Sequence, residues 1–234
     1  MSTLLQFKKN TAGRDFVVGD LHGCLPLLLS LLDQAGFDRT TDRLFSVGDL
    51  ADRGPDSVGT LALIKEPWFA AVMGNHDYFV HMHKTVDPAI HLMNGGDWWY
   101  TALDAERQQC VDLVGTLPYA IEVETDEGSI GLVHAEVPDD DWTVWERFDP
   151  SNEMMSHFAM WGRAIIRGKV PWFEGVANIT RVYVGHSVVK EVTDVHNMRY
   201  IDTGACYGRK LTMECIQGSD LGKRWEVSNE MVID

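Results

Sequence analysis

The sequence predicts an α/β (α+β) fold in which mixed strands, in one sheet or two packed sheets, are flanked by helices. Three observations predict it. Apolar runs recur, each followed at once by a polar side chain able to bind a metal, and four of the five end in glycine. Helix signals lie between the early runs, and alternating β-type runs close the chain.

The first run, Phe16-Val17-Val18-Gly19, leads to Asp20 and His22. Short β-branched and aromatic runs bounded by glycine read as strands buried on both faces. Leu25 to Ala35 is rich in leucine, starts beside Pro26 and stops at Gly36, which reads as a helix. Leu44-Phe45-Ser46-Val47-Gly48 leads to Asp49, and Ser57 to Glu66 reads as a second helix stopped by Pro67. Ala70-Ala71-Val72-Met73-Gly74 leads to Asn75-His76-Asp77. Strand–helix–strand spacing of this kind implies parallel βαβ units. Two later runs, Ile130 to Val133 and Val182 to Gly185, lead to His134 and His186. Open α/β sheets build their sites at the C-terminal ends of strands, and five such exits are more than chance supplies.

From 137 to 175 the chain turns acidic and tryptophan-rich, with Asp139-Asp140-Asp141, Trp142, Trp145, Trp161 and Trp172. This stretch reads as a largely helical insertion within one domain spanning 1–234. From Arg181 onward, Val192 to Val195, Arg199 to Ile201, Leu211 to Ile216 and Trp225 to Val227 suggest an antiparallel β ending.

Composition removes several function classes. The 234 residues carry Lys+Arg 20 against Asp+Glu 35, a formal net charge of −15. A nucleic-acid backbone binder needs a basic stripe, so no nucleic-acid partner is expected. Hydrophobic content of 45% and charged content of 24% belong to a globular chain rather than a disordered one. Cys24, Cys110, Cys206 and Cys215 form no C-x-x-C pair, which fits a reducing, cytoplasmic setting. No signal peptide is read at the N-terminus. The greasiest segment, Leu25 to Leu32, runs for about eight residues where a membrane span needs about twenty, so a soluble protein is expected.

Asp20, His22, Asp49, Asn75, His134 and His186 offer carboxylate and amide oxygens and imidazole nitrogens, without sulfur. That donor set suits hard-to-borderline divalent ions. Six ligands exceed what one ion with an open position needs, and suit two ions sharing a bridging carboxylate. Two ions roughly 3.5–4 Å apart clamp the attacking and leaving oxygens of a displacement at phosphorus, and acidify a bound water.

Gly19-Asp20-Leu21-His22-Gly23, Gly48-Asp49-Leu50-Ala51-Asp52-Arg53-Gly54, Gly74-Asn75-His76-Asp77, His134-Ala135 and Gly185-His186 resemble the successive motifs of the calcineurin-like metallophosphoesterases. The nearest branch is that of the phosphoprotein phosphatases, typified by the bacteriophage lambda protein phosphatase and its bacterial relatives. Asn94-Gly95-Gly96-Asp97-Trp98-Trp99, Trp161-Gly162-Arg163 and Tyr200-Ile201-Asp202-Thr203-Gly204-Ala205 also resemble that branch, so the likeness runs from about Phe16 to about Gly218.

The resemblance implies a metallophosphoesterase fold, a central mixed β-sandwich flanked by helices with a di-metal site at the strand ends. It implies that Asp20 and His22 hold the first metal, that Asp49 bridges, and that Asn75, His134 and His186 complete the second. Arg53 and Arg163 would hold phosphoryl oxygens, as their forked guanidinium groups suit. His76 would protonate the leaving oxygen with Asp52 as its partner, while water activated by the ions attacks phosphorus directly. The implied activity is a serine/threonine protein phosphatase acting on phosphoproteins or phosphopeptides, with phosphotyrosine as a further substrate of a shallow site. Mn²⁺ is the implied activating ion, with Fe, Zn, Co or Ni as alternatives.

Two positions depart from the branch. Asp77 stands where its phosphatases usually have Glu, and Asp is common there in the symmetrical dinucleoside tetraphosphate hydrolases. Ala51 replaces the usual Val. A tetraphosphate hydrolase with the same site is therefore the nearest rival. A non-catalytic phosphate-binding module is the rival from another class, and His76, Asp52 and Arg53 speak against it.

The remaining signals have ordinary explanations. His81 and His83, at i and i+2 on a helix, point apart and read as a solvated face. His91, His157 and His196 read as structural, the tryptophans as core or rim packing, and Asp139 to Asp141 as solvated. The cysteines read as small buried hydrophobes.

Overall fold

The computed structural model describes residues 2–230. The chain begins with β1 (Leu4–Phe7), β2 (Asp15–Val18), helix α1 (Leu25–Gln34) and β3 (Arg43–Ser46). Helix α2 (Ser57–Ala62), β4 (Phe69–Ala71) and α3 (Asn75–His81) follow, then α4 (Pro88–Met93), α5 (Asp97–Thr101) and α6 (Asp104–Val114). The second half holds β5 (Ala120–Thr125), β6 (Gly128–Val133), α7 (Glu153–Trp161) and β7 (Arg181–Val184). It ends with β8 (Thr193–Val195), β9 (Met198–Tyr200), β10 (Lys210–Gln217) and β11 (Arg224–Ser228).

These strands form two sheets, one ordered β11-β10-β2-β3-β4 and one ordered β1-β5-β6-β7-β9-β8. The pairs β2–β3 and β3–β4 are parallel, as the βαβ spacing predicts. Side chains alternate across each strand. Val17, Phe45, Ile121, Leu132 and Tyr183 come from both sheets and form one buried cluster, the filling of the sandwich. Their neighbours Phe16, Val18, Leu44, Val182 and Val184 belong to a second cluster with the helices. Burial on both faces explains why these runs are continuously apolar rather than alternating.

Three details differ from expectation. The helix predicted over 57–66 is α-helical only to Ala62 and finishes as a tighter 3₁₀ turn, Leu63–Lys65, before Pro67. The antiparallel ending is two hairpins, β8–β9 and β10–β11, placed in different sheets, and β9 also pairs in parallel with β7. Over 137–175, expected as largely helical, helix is confined to α7 and the 3₁₀ turn Trp142–Glu146, and the rest is turn and loop. Pro138, Pro150 and Pro171 interrupt it, and Asp141, Asp149 and Asn152 turn their side chains onto local backbone N–H groups.

Within that stretch Trp142 and Trp145 are core residues, whereas Trp172 is 73% exposed. Among the described residues no helix is long and apolar enough to cross a membrane.

Candidate active site

Five strand ends converge. β2, β3 and β4 deliver Asp20 and His22, Asp49, and Asn75 from one sheet; β6 and β7 deliver His134 and His186 from the other. The approach is close enough to exclude side chains at the glycines. A Cβ on Gly185 would lie 1.9 Å from Asp20 Oδ1, and one on Gly74 would lie 2.2 Å from the Asp49 backbone nitrogen. The turns are also sharp. His22, Asp49, Asp52, Arg53 and His186 all have positive φ, between 41° and 73°, where side chains other than glycine are rarely held.

Asp49 is the centre. Its Oδ2 lies 3.5 Å from His22 Nε2 and 3.3 Å from His134 Nε2, while its Oδ1 accepts the His76 backbone N–H at 2.9 Å. His22 Nδ1 donates to Ala51 O at 2.9 Å and His134 Nδ1 donates to Val47 O at 2.7 Å. Each ring thereby spends its Nδ1 proton on a carbonyl and turns its Nε2 toward the carboxylate, the arrangement typical of metal-ligating histidines. Asn75 Oδ1 lies 3.1 Å from His134 Nε2.

Asp20 Oδ2 accepts the His186 backbone N–H at 3.0 Å. Its Oδ1 is buried with no hydrogen-bond partner among the described residues. A buried carboxylate oxygen left unpaired is costly unless a cation takes it. Two sets of donor atoms, His22/Asp49/His76 and Asp49/His134/His186, each cluster within 4.8 Å and share Asp49. Orphaned oxygen, directed Nε2 atoms and a shared carboxylate all fit a pair of divalent ions.

The protonation states differ across the site. Burial drives His22 down to about 3 and His186 down to about 2, so both rings are neutral. Burial works against the charged form of His134 too, but the Asp49 carboxylate outweighs it and lifts that ring to about 9. Asp49 is likewise buried, yet His134 and its neighbouring imidazoles hold its carboxyl well below the usual range. Burial, then Asp202, raises the Asp20 carboxyl; Asp202 itself is pushed up to about 6 by burial.

Beside the clusters lies a hydrogen-bonded chain. His76 Nδ1 donates to Asp52 Oδ2 at 2.7 Å. The other oxygen, Asp52 Oδ1, accepts from Trp98 Nε1 at 2.6 Å and pairs with His91 Nε2 at 3.1 Å. Arg53 Nη1 donates to His22 Nε2 at 2.6 Å and its Nη2 to His76 Nε2 at 2.8 Å, with its guanidinium 5.2 Å from the Tyr207 ring. At the other ligand cluster, Arg163 Nε donates to His186 Nε2 at 3.0 Å. The cleft measures about 570 Å³, and its rim adds Phe79, Asn94, His157, Trp161, Arg167 and Tyr207.

All ten residues singled out in the sequence are thus gathered in or against one cleft. Sequence reasoning missed His91 and Trp98, which sit 39 and 46 residues from Asp52. Trp98 lay in the segment Asn94 to Trp99; His91 is fully buried and had no pattern around it. His157, also read as structural, stacks on Trp161 at the rim. His81 and His83 are half-buried rather than solvated, and His83 packs against Trp99.

Asp77 is fully buried and does not line the cleft. Its carboxylate accepts from Gly74 N at 3.0 Å, Leu50 N at 2.9 Å and Ala51 N at 3.3 Å. It therefore ties the Asp49 turn to the Asn75 turn. Its difference from Glu concerns loop packing, not contact with substrate.

The model of the calcineurin-like phosphoesterases matches residues 16–204. Serine/threonine-protein phosphatase 1 of Salmonella typhimurium is 36% identical over 207 residues, covering 86% of this chain and 91% of that protein. A symmetrical bis(5'-nucleosyl)-tetraphosphatase of Dechloromonas aromatica is 38% identical over 122 residues, 51% of this chain and 42% of that protein. Among solved structures, a serine/threonine phosphatase of Saccharomyces cerevisiae superposes with a TM-score of 0.64 at 14% identity, covering 99% of this chain and 84% of the other. A candidate diadenosine tetraphosphatase superposes with a TM-score of 0.70 at 20% identity, covering 99% and 100%. The two-sheet architecture, the shared-carboxylate ligand clusters and these matches lead to one assignment: the chain belongs to the calcineurin-like phosphoesterase family and is a metallophosphoesterase.

Proposed function

We propose that this metallophosphoesterase is a serine/threonine protein phosphatase of the bacteriophage lambda type, cytoplasmic, acting on phosphopeptides with Mn²⁺ as its activating ion. The observation that carries the choice of substrate is coverage. The Salmonella serine/threonine phosphatase matches over 91% of its own length, whereas the Dechloromonas tetraphosphatase matches over 42%. A cleft with an arginine beside each ligand cluster also suits a phosphoryl group carried on a bulky chain.

Asp20, His22 and Asp49 would hold one ion, and Asp49, Asn75, His134 and His186 the other. When bound, the ions supply a water acidic enough to attack at neutral pH and offset the charge of the displacement. The chain does the rest. Arg53 and Arg163 grip the non-bridging oxygens from two sides, aligning phosphorus for in-line attack. His76 delivers the proton to the leaving serine or threonine oxygen, its ring held through Nδ1 by the Asp52 carboxylate at 2.7 Å.

The test is a competition on the Mn²⁺-loaded protein between a phosphoserine peptide and diadenosine tetraphosphate. Faster turnover of the peptide is expected; a higher kcat/KM for the dinucleotide would overturn the assignment of substrate.

A further inference from the structure

The buried histidine behind Asp52 has a place in the chemistry that its surroundings make legible. His91 is fully buried, and its ring lies where a Cβ on Gly96 would come within 2.1 Å of it. Gly95, with φ of 88°, gives its carbonyl to the Arg53 backbone N–H at 2.9 Å. The Asn94-Gly95-Gly96 turn therefore does two things: it seats Arg53 and opens room for an imidazole.

That imidazole meets one oxygen of one carboxylate. His91 Nε2 reaches Asp52 Oδ1 at 3.1 Å, and Trp98 Nε1 reaches the same oxygen at 2.6 Å. His91 Nδ1 is buried and has no partner among the described residues, so the ring proton belongs on Nε2, where Asp52 accepts it. Both donors together occupy Oδ1. Oδ2 is left to His76 Nδ1, at 2.7 Å. An acceptor with both oxygens engaged by three donors has one orientation, and so has the ring it holds.

We propose that His91 is a positioning residue for proton delivery: with Trp98 it fixes Asp52, and Asp52 fixes His76 through Nδ1, so that the ring stands with its Nε2 toward the cleft and the leaving oxygen. This rests on the reading of His76 as the proton donor. In the balanced step, a water oxygen forms a new P–O bond and loses its proton to solvent, the P–O bond to the leaving group breaks, and its electron pair goes to the leaving oxygen. That oxygen takes a proton from His76 Nε2, which Arg53 Nη2 contacts at 2.8 Å in this structure and frees when its guanidinium turns to the phosphoryl group. Asp52 and His91 exchange no proton in the step.

A positioning role leaves a signature that a merely structural one does not. Proton delivery matters when the leaving oxygen is a poor one, as in phosphoserine, and matters little for p-nitrophenolate, which departs without help. In the Mn²⁺-loaded protein, His91→Ala should lower kcat on a phosphoserine peptide by about 10–100-fold, the range seen when outer hydrogen-bond partners are removed. KM should stay within about twofold, and kcat on p-nitrophenyl phosphate should fall by no more than about threefold. His91→Gln, which keeps an N–H donor, should recover most of the loss. If His91→Ala fails to fold, Trp98→Phe removes the other donor to Oδ1 and should give the same selective loss.

Equal losses on both substrates, no loss on the peptide, or a Gln variant no better than Ala would overturn the proposal. His76→Asn separates the two levels. If it shows the leaving-group selectivity and the His91 and Trp98 variants do not, the positioning role alone fails. If His76→Asn lacks the selectivity too, the reading of His76 as proton donor fails with it.

Discussion

The floor of the cleft and its rim are built on different principles. The floor comes from five strand ends of two packed sheets, and Asp20, His22, Asp49, Asn75, His134 and His186 are all at most 7% exposed. Each has a backbone or side-chain partner that fixes it before any substrate arrives. The rim comes from α7 and the loops after it, from Phe79 on α3, from the Asn94 turn and from the turn near Tyr207, and His157, Arg167 and Tyr207 are exposed. Rigid strand ends give the floor one geometry. The rim can change composition without disturbing either sheet, so it is the part free to choose among phosphorylated substrates.

Four experiments would sharpen or break this division. The largest effect is expected at the shared carboxylate. Asp49→Asn keeps the shape but removes the charge both clusters use, and should cut kcat/KM on the order of 10³-fold, since bound ions supply several kcal/mol of stabilisation. A variant with more than a tenth of normal turnover, and normal metal content by elemental analysis, would refute the central role of Asp49.

A second measurement distinguishes the two halves of the floor. His134, raised to about 9, carries a proton at pH 7 in the ion-free chain; His22, near 3, carries none. An ion taking His134 Nε2 must displace that proton, so uptake at pH 7 should release about one proton, and affinity should rise about tenfold per pH unit up to about pH 9. The sign for stability is the reverse. The raised pKa means the His134–Asp49 pair stabilises the ion-free fold fully below about pH 6.5 and loses that contribution as pH rises through about 9. Titration calorimetry in two buffers of different ionisation enthalpy reads the proton count, and identical heats would contradict it.

Where floor meets rim, Arg163→Lys keeps a charge but loses the fork. KM for a phosphopeptide should rise about tenfold with kcat little changed if Arg163 holds the ground state and transition state alike. At the rim proper, Trp161→Ala removes the indole on which His157 stacks, 5.8 Å away and 13° from parallel. A change of about two- to fivefold in peptide KM is expected, with none for p-nitrophenyl phosphate. Equal effects on the two substrates would mean that Trp161 supports the floor.

The same division decides what could be read from sequence. A strand buried on both faces writes a continuous apolar run, and four of the five exits carry a glycine, so Gly19, Gly48, Gly74 and Gly185 announced the ligands that follow them. The parallel pairing of β2, β3 and β4 was likewise visible, because short helices fill the spaces between them. The rim left no such trace. Residues 137–175 are held by side-chain-to-backbone bonds and prolines rather than by a period, and the expected helix shrank to α7. His91 was invisible for a related reason. Its meaning lies wholly in its contact with Asp52, and nothing local in the chain demands an imidazole there.

The left-handed turns at His22, Asp49, Asp52, Arg53 and His186 carry one more implication. Such conformations cost on the order of 1 kcal/mol each and survive only where neighbouring structure enforces them. Five in one small region amount to a wound spring, kept taut by the sandwich behind it. A directed-evolution campaign aimed at heat resistance alone would drift toward asparagine or glycine at these positions, keeping the turns without their tension and yielding a sturdier, inert protein.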